Sequence, residues 1–242
     1  MPKAMEASPL VIEYIFTLQD QSRERFTLRL DPQSLESIAE ESGPLPEWAA
    51  LSFSQCPGCL LNAASTLHCP AAANLAPIVQ RCDRLLSFDV ILLEVLTAER
   101  LIRQETTAQK AIGSLLGLAM ATSSCPRTAF FKPMARFHLP LASEEETIFR
   151  ATATYMLSQY FVNKQGGEAD FSMAGLEDIY LKIQEVNLGM AKRLRRAAKT
   201  DSPINAIVLL DMYAKALPYV IQQSLEELRY LFAPLLRQIP GA

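Results

Sequence analysis

The chain has 242 residues, half of them hydrophobic and a fifth charged, with a formal net charge of −3. That balance excludes intrinsic disorder and leaves no bulk positive field to draw the protein onto nucleic acid or anionic lipid. The length suits one large domain or two small ones, with enough residues to bury a core.

The stretch from Met1 to Pro9 lacks the apolar segment of a secretory signal. The apolar run Ala111–Ala121 is shorter than the about 20 residues a membrane span requires. The expected location is therefore cytoplasmic, where cysteines serve metals or redox chemistry rather than structural disulfides.

Leu10–Leu18 and Phe26–Leu30 are rich in β-branched and aromatic residues, and Asp20-Gln-Ser-Arg-Glu separates them. This predicts a β-hairpin. Asp31-Pro-Gln-Ser opens a turn or short helix through Glu41, and Ser42-Gly-Pro-Leu-Pro breaks the chain. Trp48–Phe53 reads as a short strand leading to Cys56. Leu75, Ile78, Val79, Cys82, Leu85 and Leu86 form a helical stripe over 70–86. Phe88–Leu96 reads as a buried strand, with Arg100–Glu105 as its partner. Gln109–Ala121 is a helix whose Ala111, Gly113, Gly117, Ala119 and Ala121 let a neighbouring backbone come close, at some loss of intrinsic helix stability.

From Ser143 the pattern turns helical. Ser143-Glu-Glu-Glu146 is a capping box. It opens a helix to about Lys164, which stops at Gly166-Gly167. A second helix spans roughly Met173–Lys199. A third opens at Ser202-Pro203 and runs to about Leu217, where Pro218 kinks or divides it; helix then resumes to near Gln238. The expected fold class is α+β: an N-terminal β-hairpin or small sheet with Cys-rich loops over 1–140, and an antiparallel helical bundle over 141–242, joined in one integrated domain.

All five cysteines precede residue 126. Cys56-Pro-Gly-Cys59 is a CxxC turn; Cys69-Pro70 follows after nine residues, and Cys125-Pro126 lies further on. A residue before proline is held out of the helical region, and proline suits the first helical position. Cys-Pro therefore places cysteine at a helix N-cap, where free N–H groups favour the thiolate. The sharpest expectation is one four-thiolate site built from Cys56, Cys59, Cys69 and Cys125, holding zinc or, as the alternative, an iron–sulfur cluster. CPGC resembles the CPxC knuckle of zinc ribbons and rubredoxins, although Leu60 stands where those knuckles carry glycine. The competing reading is a redox dithiol at Cys56 and Cys59, similar to the CPxC of glutaredoxins. The plainest reading is that all are small buried hydrophobes. Cys82, on a helical apolar stripe, is read as core.

The segments QCPGCLLNA, HCPAAANL and SCPRTAFFKPMARFHLPLASEEET resemble a bacterial protein family known only as a domain of unknown function. The resemblance covers most of the chain. It implies no activity, cofactor or catalytic residue, and it supports treating Cys56, Cys59, Cys69 and Cys125 as one set.

Both histidines, His68 and His138, lie near proposed ligand cysteines in the sequence, and either can replace a sulfur or serve as acid or base. Lys132 and Arg136 accompany His138 in FKPMARFHLP, as an anion-holding group or, more plainly, a solvated loop. Glu144–Glu146 fit a helix N-terminus, and Asp178 with Glu185 lacks the histidines of a di-iron bundle. Lys192-Arg193-Leu-Arg195-Arg196 and Lys199 form the one basic cluster, suited to a helix C-terminus and without a nucleic-acid recognition motif. Ile179, Ile183, Val186, Met190 and Leu194 form a packing stripe. The chain carries no GxxxxGK[ST], GxGxxG, HExxH or GxSxG signature. Three function classes follow: a regulatory or structural metalloprotein, a thiol oxidoreductase or redox sensor, and a metal-free protein that offers its C-terminal helices to a protein partner.

Overall fold

Strand-forming residues in period-2 alternation build a four-stranded antiparallel sheet. The computed structural model describes residues 8–38 and 43–239. The expected short helix to Glu41, the break opening at Ser42 and the segment before Ser8 reach outside those residues. The expected hairpin is present: β1 (Leu10–Thr17) pairs with β2 (Arg23–Leu30) from Leu10↔Leu30 to Thr17↔Arg23. β3 (Val90–Leu96) lies on the other side of β1 and pairs with β4 (Leu101–Thr107). Ile91, Leu93 and Val95 alternate inward beside Tyr14 and Phe16. Burying each such side chain contributes roughly 1.5–3 kcal/mol. Edge strand β4 instead presents exposed Arg103, Gln104 and Glu105, charges that discourage further strand pairing.

α1 (Pro70–Cys82) packs on α2 (Ala108–Ala121), which also meets β3 and β4. The backbone of Ala206 approaches Gly113 of α2, as the small residues there predict. Trp48–Phe53 is not a strand. It forms two 3₁₀ turns, Glu47–Ala49 and Leu51–Phe53. Its carbonyls turn toward a side chain of the C-terminal half rather than toward a neighbouring strand.

α3 (Lys132–Arg136), α4 (Glu144–Lys164), α5 (Ala174–Ala197), α6 (Ser202–Ser224) and α7 (Arg229–Leu236) follow. The fold is thus α+β, with the sheet near the N-terminus and seven α-helices among the described residues. The chain forms two compact units: residues 1–141 with 185–210, and residues 142–184 with 211–242. Among the described residues no helix is long and apolar enough to cross a membrane.

Within the second unit the Ser143 capping box is complete. Ser143 N donates to Glu146 Oε2 at 2.8 Å, and Glu146 N donates to Ser143 Oγ at 3.1 Å. Asp170 draws the start of α5 toward α4: it accepts from Tyr155 Oη at 2.7 Å and from Gly175 N at 2.9 Å. Phe149 stacks with Phe232 of α7. Pro218 does not end α6 at Leu217; the helix continues to Ser224. A proline leaves the carbonyl four residues earlier without its donor. That carbonyl, Ala214 O, accepts from Gln184 Nε2 at 3.1 Å instead.

Candidate functional site

Three chain segments that precede residue 126 bring four cysteines to the wall of one small cavity in the first unit, and α5 closes it. The CPGC segment forms a tight turn, with Cys59 N donating to Cys56 O at 3.1 Å. Pro-Gly suits this turn because Gly58 sits at φ +58°, a conformation costly for other residues. Arg127 donates to Gly58 O at 2.5 Å and pairs with Glu185, tying the turn to α5.

Cys69 is placed by short-range pairing with the 3₁₀ segment. Leu51 N donates to Leu67 O and Cys69 N to Ala49 O, both at 2.9 Å. Pro70 starts α1, so Cys69 is its N-cap, with φ −68° and ψ 118°. Cys125 repeats this geometry, φ −69° and ψ 122°, ahead of the 3₁₀ helix Pro126–Phe131. The N-cap placement expected of Cys-Pro thus holds at both positions. Neither sulfur serves as an N-cap acceptor.

Val186, Met190 and Arg193 of α5 line the remaining side with Leu51 and Ala71. Cys56 lies hard against this helix: a Cβ on Gly189 would stand 2.7 Å from its Sγ. Cys69 and Cys125 are buried, whereas Cys56 and Cys59 are half-buried. Exposed Leu60 marks the solvent side. The cavity measures about 10 Å³, room for a body of roughly one water's size.

Burial pushes the Cys56 thiol up to about 11, reinforced by Cys69, Cys59 and Cys125 and opposed by Arg193. Burial also raises Cys125, against the backbone N–H groups of Arg127 and Thr128. These thiols are protonated near neutral pH, so Cys56 is a poor nucleophile as it stands.

Arg193 is wholly buried. It donates to the carbonyls of Trp48, Ala50 (2.6 Å), Leu51 (3.2 Å) and Ser54 (3.0 Å). Its Nε is buried with no hydrogen-bond partner among the described residues. Burial lowers its pKa, and the nearby cysteines oppose that shift. Reading Arg193 as one cation of a surface cluster is corrected: it is a structural clamp, while Lys192, Arg195 and Arg196 are exposed.

The other sequence candidates lie elsewhere. His138 Nε2 is 2.5 Å from Tyr14 Oη, which also meets Ser114 Oγ at 2.8 Å. Lys132 pairs with Glu36 at 2.7 Å and Arg136 with Glu99 at 3.3 Å. His68 forms an isolated bridge with Ala50. None of the four lines the cavity. Cys82 is buried in α1, its thiol pushed up to about 12 by burial. Asp178 pairs with Lys182, and the stripe from Ile183 to Leu194 is buried at Ile183, Val186, Met190 and Leu194. Among the described residues, no group of three or more His, Cys, Asp or Glu side chains is arranged to hold a metal ion as it stands.

A family model described as "Domain of unknown function (DUF6901)" matches residues 12–233. The chain belongs to the DUF6901 family. The match spans the sheet, every segment that lines the cavity and most of the helical region, and it agrees with the resemblance carried by the QCPGC, HCP and SCPRTAFF segments. No curated protein and no solved structure matches the chain.

Proposed function

We propose that this DUF6901 protein is a metal–thiolate protein, in which Cys56, Cys59, Cys69 and Cys125 together hold zinc or an iron–sulfur centre with a structural or regulatory role. The observation that carries this reading is the shared cavity: four cysteines from three segments line it and the fifth does not. Charge gives further support. Four thiolates around a dication leave a net charge of −2, and two guanidinium groups, Arg127 and Arg193, line the same cavity. Unlike charges at close range in a water-poor site stabilise the ligated form. The redox-dithiol reading is weaker, because a thiol raised as Cys56 is attacks disulfides poorly near neutral pH.

A metal here ties the CPGC turn to the N-termini of α1 and of the 3₁₀ helix after Cys125, so that binding energy becomes folding energy. The test is metal analysis of protein purified without oxygen, together with unfolding midpoints before and after a chelator. Bound metal that is lost in Cys59→Ser and Cys125→Ser but kept in Cys82→Ser is expected. Metal retention that is indifferent to all three changes overturns the proposal.

A further inference from the structure

We infer that the outer edge of β4 is the surface through which two copies of this chain pair, antiparallel and about a two-fold axis at Gln104. β4 is the last strand in the order β2-β1-β3-β4. Its pairing with β3 is regular over all of Leu101–Thr107, and the strand holds no proline. The opposite edge of the sheet is not equivalent. There Leu30 bridges to Ser37 and Ile38 N donates to Arg29 O at 2.8 Å, so main chain of the same copy already occupies part of it.

The ladder fixes which main-chain groups of β4 face outward. Thr97 N donates to Arg100 O at 2.9 Å at the mouth of the β3–β4 hairpin. Hydrogen-bonded pairs recur at every second residue of an antiparallel ladder. Ile102, Gln104 and Thr106 therefore bond to Val95, Leu93 and Ile91. Leu101, Arg103 and Glu105 turn their N–H and C=O groups away from β3. A second strand can bond only outward groups to outward groups, which restricts its register.

Within that restriction the charges select one register. With Gln104 opposite its own copy, Arg103 of each protomer stands opposite Glu105 of the other, and Leu101 opposite Thr107. Unlike charges directly opposite each other stabilise a strand pair, and like charges oppose it. The neighbouring registers of the same parity set Arg103 against Arg103 or Glu105 against Glu105, and each leaves one end of the strand unpaired. Charges on an edge strand turn away strands that do not match them. Arg-Gln-Glu read in the opposite direction matches itself, so the same charges admit a second copy. The resulting interface is isologous, as a closed dimer requires. Arg103, Gln104 and Glu105 are exposed, and so is apolar Leu101. Gln104, on the same face as Leu93, offers its own copy both a donor and an acceptor. None of these residues lines the cysteine cavity, so the pairing does not require a metal.

The experiment is sedimentation velocity of the full chain, thiols kept reduced, from micromolar to near-millimolar concentration, with hydrogen exchange at both ends of that range. A reversible dimer is expected, with exchange at the amides of Arg103 and Glu105 slowed as concentration rises. Arg103→Glu or Glu105→Arg alone is expected to raise the dimer dissociation constant about tenfold or more, because both symmetric pairs turn from unlike to like. Arg103 also lies 3.7 Å from Glu94 within its own chain. Glu105→Arg leaves that contact intact, and circular dichroism checks that each variant folds. The double variant exchanges the charges and is expected to restore the dimer. A chain that stays monomeric over the whole range overturns the inference. So does a dimer that the single reversals leave unchanged, that the double reversal fails to restore, or whose protected amides exclude Arg103 and Glu105.

Discussion

Replacing Arg193 with methionine tests the physical account of the first unit most directly. The guanidinium makes four hydrogen bonds to the main chain between Trp48 and Ser54. Each bond from a charged donor is worth about 1.5–3 kcal/mol, a gross gain of about 6–12 kcal/mol. Taking a guanidinium out of water costs several kcal/mol against that sum. Methionine removes both terms, but it leaves the carbonyls of Trp48, Leu51 and Ser54 without the donor that Arg193 provides. Ala50 O keeps a bond from Phe53 N at 3.2 Å. Three carbonyls left without a donor cost about 1–3 kcal/mol each, partly offset by the relief of the guanidinium's desolvation, so the expected net loss is about 3–5 kcal/mol. For a chain of this length that lowers Tm by about 6–20 °C. The assay is urea unfolding of the metal-free chain, followed by the emission of its one tryptophan, Trp48, which is itself in the clamped segment. Lysine, with one ammonium in place of a planar fork, is expected to recover only part of the loss. A methionine variant within about 0.5 kcal/mol of wild type, with unchanged Trp48 emission, refutes the reasoning.

Other expectations follow from single contacts. Gly189→Ala puts a methyl 2.7 Å from Cys56 Sγ; overpacking of about 1–3 kcal/mol outweighs a helix-propensity gain of about 1 kcal/mol. Metal uptake is expected to fall several-fold by metal analysis, with circular dichroism near native. Gln184→Leu takes the donor from Ala214 O and is expected to cost about 1–3 kcal/mol in chemical denaturation. Pro218→Ala restores that donor, so the Gln184 effect measured in its background should shrink to near zero; additive effects sink the explanation. Asp170 is held well below the usual carboxylate range, first by the Ser172 hydroxyl and then by Gly175 N and Tyr155 Oη. A depressed carboxylate stabilises the fold above its unfolded pKa of about 3.9 and loses that contribution as pH falls below it. Asp170→Asn should therefore flatten the acid side of the stability curve and leave its slope at neutral pH unchanged.

Much of the fold is legible in the chain because local rules and tertiary packing agree. The hairpin, the β3–β4 pair and the capping box each follow from patterns within about twenty residues. Trp48–Phe53 misleads because its apolar composition fits a strand, while the decisive partner, Arg193, is far away in sequence. Pro218 misleads for a similar reason: its cost is met by Gln184, a residue outside its own helix. At the candidate site the four cysteines are legible from Cys-Pro chemistry. Arg193 is hidden among charged neighbours, although a signal was present. It lies three residues after Met190 and seven after Val186, in phase with the apolar stripe, so an arginine there faces the interior. Arg127 and Gly189 carry no comparable mark, since their roles depend on approaches between segments distant in sequence.

The first unit is not contiguous: residues 142–184 come between the last cysteine and the part of α5 that walls the cavity. Arg193 is polymerised 68 positions after Cys125, a delay of about 3–14 s at about 5–20 residues per second. Throughout that interval the nascent polypeptide carries all its thiols without the guanidinium that later fixes the loop around them. On the metal–thiolate proposal, loading on the ribosome would meet an open, wet set of thiols, whereas loading after release would enter from the Leu60 side of a chamber already closed by α5.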